Sequence, residues 1–134
     1  MVWDGVAGLC LVCRGDALRC GAAVMDTAEV LNRAADLIEP QGAWTQGTSC
    51  RDEHGNDLDD LDDGEVDHLA VCFCASEAIY RVSGLYYVKC PAHQFMSSLV
   101  GGHIPNWNDA PERTQAEVVA KLREAARLAE SPLP

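Results

Sequence analysis

The chain has 134 residues, 48% of them apolar, and a formal charge of -11 at pH 7. That length suits one domain with a core of its own, and the composition is ordinary for a globular protein. The charge excludes an electrostatic grip on nucleic-acid backbones, which requires clustered Lys and Arg. No apolar run approaches the roughly 20 residues of a membrane span, and Asp4 interrupts the stretch where a secretory signal needs apolar continuity. We expect a cytoplasmic protein without membrane contact. Seven cysteines (Cys10, Cys13, Cys20, Cys50, Cys72, Cys74 and Cys90) make an odd count without an export signal, which argues against a disulfide framework.

Residues 1–24 carry three of those cysteines and show no clean helical or strand period. They are expected to be an extension, such as an upstream start codon would add, ahead of a single helical domain over residues 25–134. Asp26-Thr-Ala-Glu29 is a capping-box pattern, and Val30, Leu31, Ala34, Leu37 and Ile38 share one helical face up to Pro40. Residues 40–66 read as a long connection, with a hairpin tip at Ser49–Asn56 where Gly55 is free to take positive φ. Residues 57–67 hold seven acids and no base, leaving only -4 for the rest of the chain. A second helix is expected from about Asp67 to Val82, with Val71, Ala75, Ala78, Ile79 and Val82 as its apolar stripe and Ser83-Gly84 as its stop. A third covers Pro91 to Val100 before Gly101-Gly102. The last runs from Thr114 to about Glu130, with Val118, Leu122, Ala125, Ala126 and Ala129 inward and a Glu117–Lys121 pair outside. The expected fold class is mainly α: a bundle of about four helices, with a long acidic loop or short β-hairpin between helices one and two.

Several stretches occur together in order. They are Ala34-Ala-Asp-Leu-Ile-Glu-Pro-Gln-Gly-Ala-Trp-Thr-Gln-Gly47, Arg51-Asp52 with Gly55, Cys72-Phe-Cys74, and Trp107-Asn-Asp-Ala-Pro-Glu-Arg-Thr-Gln-Ala-Glu-Val118. From about Met25 to Ala129 the chain resembles DUF6197, a family of small uncharacterised bacterial and bacteriophage proteins. The resemblance implies a phage- or prophage-related origin and brings no activity with it.

The candidate sites follow from the residues themselves. Thr114-Gln-Ala-Glu117 is a second capping box, and Asn108 and Asp109 suit an Asx-turn before it. Trp107 is expected to bury, with its indole N–H on a polar neighbour. As a site, Asn108, Asp109 and Arg113 would face an anionic or amide group at the positively polarised start of the last helix. Cys72 and Cys74 flank the expected apolar stripe, so they pack as small hydrophobes, or Cys74 is a nucleophile. The latter needs a base from His68, His93 or His103, an orienting Asn108 or Asp109, and an oxyanion donor such as Gln46. Cys10-x2-Cys13 is half a zinc site, but Cys50-x3-His54 and Cys90-x2-His93 are poor second halves. With Gly64 at position six of a calcium loop, Leu61 and Ala70 fall on ligand positions, which rejects an EF-hand. No metal or cofactor is expected. The acidic run is either a solvated loop or a docking surface for a basic protein.

The leading expectation is an accessory protein that binds a protein or small ligand without catalysis. Its candidate binding residues are Trp44, Gln46, Trp107, Asn108, Asp109 and Arg113, with residues 57–67 available to a basic partner. The alternative is a cysteine-dependent hydrolase or transferase built on Cys74, His103 and Asn108.

Overall fold

A computed structural model describes residues 25–130, apart from the side chain of Tyr87. The expectations for residues 1–24, including the Cys10–Cys13 half-site, lie outside the described residues. Six α-helices form among the described residues: α1 (Thr27–Ile38), α2 (Asp63–Leu69), α3 (Ala75–Ser83), α4 (Pro91–Val100), α5 (Ile104–Asn108) and α6 (Gln115–Glu130). Two short antiparallel strands, β1 (Cys50–Arg51) and β2 (Cys72–Phe73), accompany them in the register Cys50 opposite Phe73 and Arg51 opposite Cys72. The chain is mainly helical, as expected, with six helices in place of about four.

Helices α1, α3, α4 and α6 enclose the main core. Leu31, Ala34, Ala35 and Ile38 of α1 meet Ala78 and Ile79 of α3, Met96 of α4, and Val118, Leu122, Ala125 and Ala126 of α6. Burying each Leu, Ile or Met side chain contributes about 1.5–3 kcal/mol, and the alanines let α6 lie close along α1. The expected helix signals are present. Asp26 Oδ1 accepts from the Glu29 N–H at 2.8 Å. Thr114 and Glu117 exchange both capping-box bonds, at 2.9 and 3.2 Å. Gly84 and Gly101 close α3 and α4 in the left-handed conformation. Helix α1 has no such glycine. Its final carbonyl is taken by Gln115 Nε2, which lies 2.7 Å from Ile38 O and also from Pro40 O just past the helix.

The expected helix over Asp67–Val82 is two helices, split at residues 70–74. That segment is extended because its backbone groups find partners on both sides. Val71 N donates to Arg51 O at 2.9 Å and Cys74 N to Ser49 O at 2.8 Å. On the other edge Phe73 N donates to Ala43 O at 2.9 Å, and Phe73 O accepts from Thr45 N at 3.1 Å. Sheet pairing across the chain therefore displaces the local helical pattern. Val71 leaves the apolar stripe and is 49% exposed. Cys72 becomes part of β2 and Cys74 the N-cap of α3, so neither flanks a helical stripe.

The acidic run is also more ordered than a solvated loop. Asp62 Oδ1 accepts from the Glu65 N–H at 2.9 Å and caps α2, whose acidic first turn suits the helix dipole. Leu58 and Val66 bury against Cys50 in a small second core. The Ser49–Asn56 tip is a hairpin turn: Asp52 N donates to Asn56 O at 3.0 Å, with Gly55 at φ 83°. On α6, Lys121 pairs with Glu124 at 3.0 Å instead of with Glu117, which is occupied by its capping box.

Candidate functional site

The Trp44–Gly47 loop and the end of α5 meet at the N-terminus of α3, and Asn108 joins all three. Its side chain is completely buried. Asn108 Oδ1 accepts from Trp44 Nε1 at 2.7 Å and from the Ala75 backbone N–H at 3.0 Å. Its Nδ2 donates to Thr45 O at 3.1 Å and to Asp109 Oδ1 at 2.9 Å. A primary amide offers two acceptor sites and two donors, so Asn108 is saturated. Gln46 closes the same joint from the other side, with Nε2 at 2.9 Å from both Asn108 O and Ala110 O. The Gly47 N–H donates to Asp109 Oδ1 at 3.0 Å. Arg51 stiffens the loop, its Nε donating to Thr45 Oγ1 at 2.9 Å and its Nη2 to Gln46 O at 3.2 Å.

Sequence reasoning named Trp44, Gln46, Asn108 and Asp109, and the fold brings them together. Their setting differs from the expected one. Asn108 and Asp109 end α5 and serve the start of α3, not the start of the last helix. The indole held by a polar partner belongs to Trp44, whereas Trp107 is half-buried under Arg113. The Arg113 guanidinium carbon lies 4.1 Å from the Trp107 ring centroid, and its Nε donates to Trp107 O at 2.9 Å. These two residues form a separate cation–π pair beside the joint.

The chain from residue 22 to residue 128 matches the model of a family of unknown function, DUF6197. The chain belongs to that family. No curated protein and no solved structure matches it significantly. In this DUF6197 protein Cys74 is 6% exposed, and its thiol accepts the Glu77 N–H at 3.3 Å as the cap of α3. Burial pushes the Cys74 thiol up to about 11, against the pull of the Glu77 N–H, so it is protonated near neutral pH. His103 is exposed at the start of α5 and makes no capping bond, while His68 is exposed on α2. His93 is buried, with Nε2 sharing a hydrogen bond of 2.9 Å with Ser76 Oγ.

Among the described residues, no group of three or more His, Cys, Asp or Glu side chains is arranged to hold a metal ion. No described helix is long and apolar enough to cross a membrane. Two further features carry no warning in the sequence. One is the buried Ser76–His93 pair, between residues on different helices. The other is Arg81, which joins Asp63, Asp67 and Glu77 and thereby fastens α2 to α3.

Proposed function

We propose that this DUF6197 protein is a phage- or prophage-related accessory protein that acts in the cytoplasm by binding a basic protein partner, without catalysis. The supporting observation is the saturation of Asn108: the amide that a nucleophile would need for orientation is committed to Trp44, Ala75, Thr45 and Asp109. The groups around it are committed as well. Gln46 holds two backbone carbonyls, and the protonated Cys74 thiol serves as a helix cap. An arrangement spent on internal bonds fixes the shape of a surface and leaves no poised acid, base or nucleophile.

The acidic face supplies the partner chemistry. Among residues 57–67 only Leu58 and Val66 are buried, so the carboxylates of this segment are displayed outward on a fixed scaffold. Such a field steers and selects basic partners and repels nucleic acid. Trp44, Gln46, Trp107, Asn108, Asp109 and Arg113 then hold the neighbouring loops in register, with Asp109 and the Arg113–Trp107 pair at the surface.

Iodoacetamide labelling of the native protein near neutral pH, read by mass spectrometry, tests the non-catalytic part. Cys74 should remain unmodified until the protein is unfolded. Rapid modification of native Cys74 would favour the cysteine-dependent hydrolase or transferase reading with His103 and Asn108.

A further inference from the structure

Beside the Asn108 joint lies a cleft of about 200 Å3, lined by Thr48, Ser49, Asp59, Cys74, Pro105 and Asp109 among others. It sits where the acidic segment meets the loop leading into β1. The Thr48 hydroxyl is buried, on a residue only 9% exposed, and completes no hydrogen bond among the described residues. Leaving a buried hydroxyl unsatisfied costs about 1–3 kcal/mol. The Asp57 carboxyl is held low first by the Asp59 N–H and then by this nearby hydroxyl, which approaches it without completing a hydrogen bond of ordinary geometry.

The Arg51 guanidinium lies near Gly47 at the rim of the cleft but is bound to Thr45 and to the carbonyls of Gln46 and Gly55. Asp59 and Asp109 take part in no ion pair among the described residues. Asp109 Oδ1 accepts from Gly47 N and Asn108 Nδ2, and both donors are neutral. Two carboxylates and two hydroxyls therefore stand beside the apolar Pro105 ring and the Cys74 thiol. Sites for small molecules typically measure about 300–1,000 Å3. A cleft of about 200 Å3 is small for a metabolite and suits one long side chain.

We propose that this cleft receives a lysine side chain from a basic protein partner. Its ammonium is held by Asp59, Asp109 and Thr48 Oγ1, and its methylene stem lies on Pro105 and Cys74. The three donors of an ammonium match those three acceptors, and the stem loses little by leaving water. The inference rests on the reading of the protein as a binder of basic partners and gives that reading an anchor.

The test is an NMR titration of the isotope-labelled full chain with a lysine-containing, otherwise neutral peptide. The same peptide with every lysine Nε-acetylated and n-butylammonium chloride are titrated in parallel. The lysine peptide should shift the backbone amides of Gly47, Ser49, Cys74 and Asp109, and the acetylated peptide should not. Asp59→Asn should weaken binding about tenfold. Thr48→Val, nearly isosteric, should weaken it about threefold while leaving the protein at least as stable. Peptide binding that shifts only the exposed face of α2, or that is undiminished in both variants, would overturn the cleft and leave the binding reading intact. No lysine-dependent binding at all would remove both. Butylammonium binding as tightly as the peptide would overturn the assignment to a protein side chain.

Discussion

Trp44 Nε1 donates to Asn108 Oδ1 at 2.7 Å across 64 residues of sequence, and this bond closes the loop before β1 onto the end of α5. The same oxygen takes the first N–H of α3, so one side chain fixes three segments at once. Asn108→Ala would leave the Trp44 indole N–H, the Ala75 N–H and the Thr45 carbonyl without their partner at a largely buried joint. Each stranded group costs about 1–3 kcal/mol, and because the groups share one partner the losses do not simply add. We expect a loss of about 3–5 kcal/mol in urea unfolding. Trp44→Phe removes one donor and keeps most of the ring, so about 1–2 kcal/mol is expected. The double variant should cost less than the sum of the two.

Stability should be greatest on a plateau between about pH 6.5 and pH 9. Burial raises the Cys74 thiol from 9.0 to about 11, so between those values the unfolded chain has lost a proton that the folded chain retains. Stability is full below pH 9 and falls as pH rises, by about 2 kcal/mol at pH 11. Burial also raises Cys50, to about 12, which acts in the same direction. His93 works at the acid end. Burial, and secondly the charge of His103, holds its imidazole below 6.5, so stability is lost as pH falls beneath that value and the unfolded histidine binds its proton first. Chemical unfolding midpoints measured across pH would show both edges. Cys74→Ser, which keeps a capping oxygen, should soften the alkaline edge.

The legible parts of the fold were those whose causes are local. Helix α1 is announced by a cap, a spaced apolar face and a terminator, α4 by Pro91 in its first turn and Gly101-Gly102 after it, and α6 by a capping box and a spaced apolar face, all of them signals within one element. The break at residues 70–74 has no local cause. Val71, Ala75, Ala78, Ile79 and Val82 continue a helical spacing through it, and only pairing with residues 43–51 makes the segment extended. Cys74 as a cap was hidden for a related reason, because cysteine is not among the usual capping residues. The site was half legible. Trp44, Gln46, Asn108 and Asp109 are unusual enough in their loops to be singled out, but which indole Asn108 would hold depends on a contact between distant segments. The Ser76–His93 pair and the Arg81 cluster depend on helix packing alone.

Arg81 should be the main fastener of the acidic helix. Its guanidinium contacts Glu77, Asp67 and Asp63, and Tyr80 Oη donates to Asp63 Oδ2 at 2.7 Å from the same turn of α3. Asp63 and Asp67 are largely exposed, so those two pairs contribute little and are screened by salt. Glu77 is different, because its side chain is only 13% exposed and burial already raises its pKa. Arg81→Ala leaves that carboxylate without its cation. A total loss of about 2–3 kcal/mol is expected, with faster hydrogen exchange in α2 than in α6. Arg81→Lys should recover only part of it, since one ammonium does not reproduce a fork reaching three carboxylates.

Binding through the acidic face should be separable from the stability of that face if the right carboxylates are neutralised. Asp62 caps α2 and Asp63 pairs with Arg81 and Tyr80, so changing either would damage the helix as well as its charge. Asp60 and Glu65 are exposed, and neither side chain is engaged in a hydrogen bond or ion pair among the described residues. The double variant Asp60→Asn, Glu65→Gln should therefore unfold within about 1 kcal/mol of the parent, the residual cost coming from Glu65 leaving the first turn of α2. Its affinity for a lysine-rich polypeptide at low salt should fall roughly tenfold, mainly through slower association. The difference between variant and parent should shrink as salt is added, because charges at this distance from a partner are screened within a Debye length of about 10 Å at 0.1 M salt. Calorimetric titration at two salt concentrations checks it. Equal affinity of variant and parent at low salt would show that these outward carboxylates do not steer a partner.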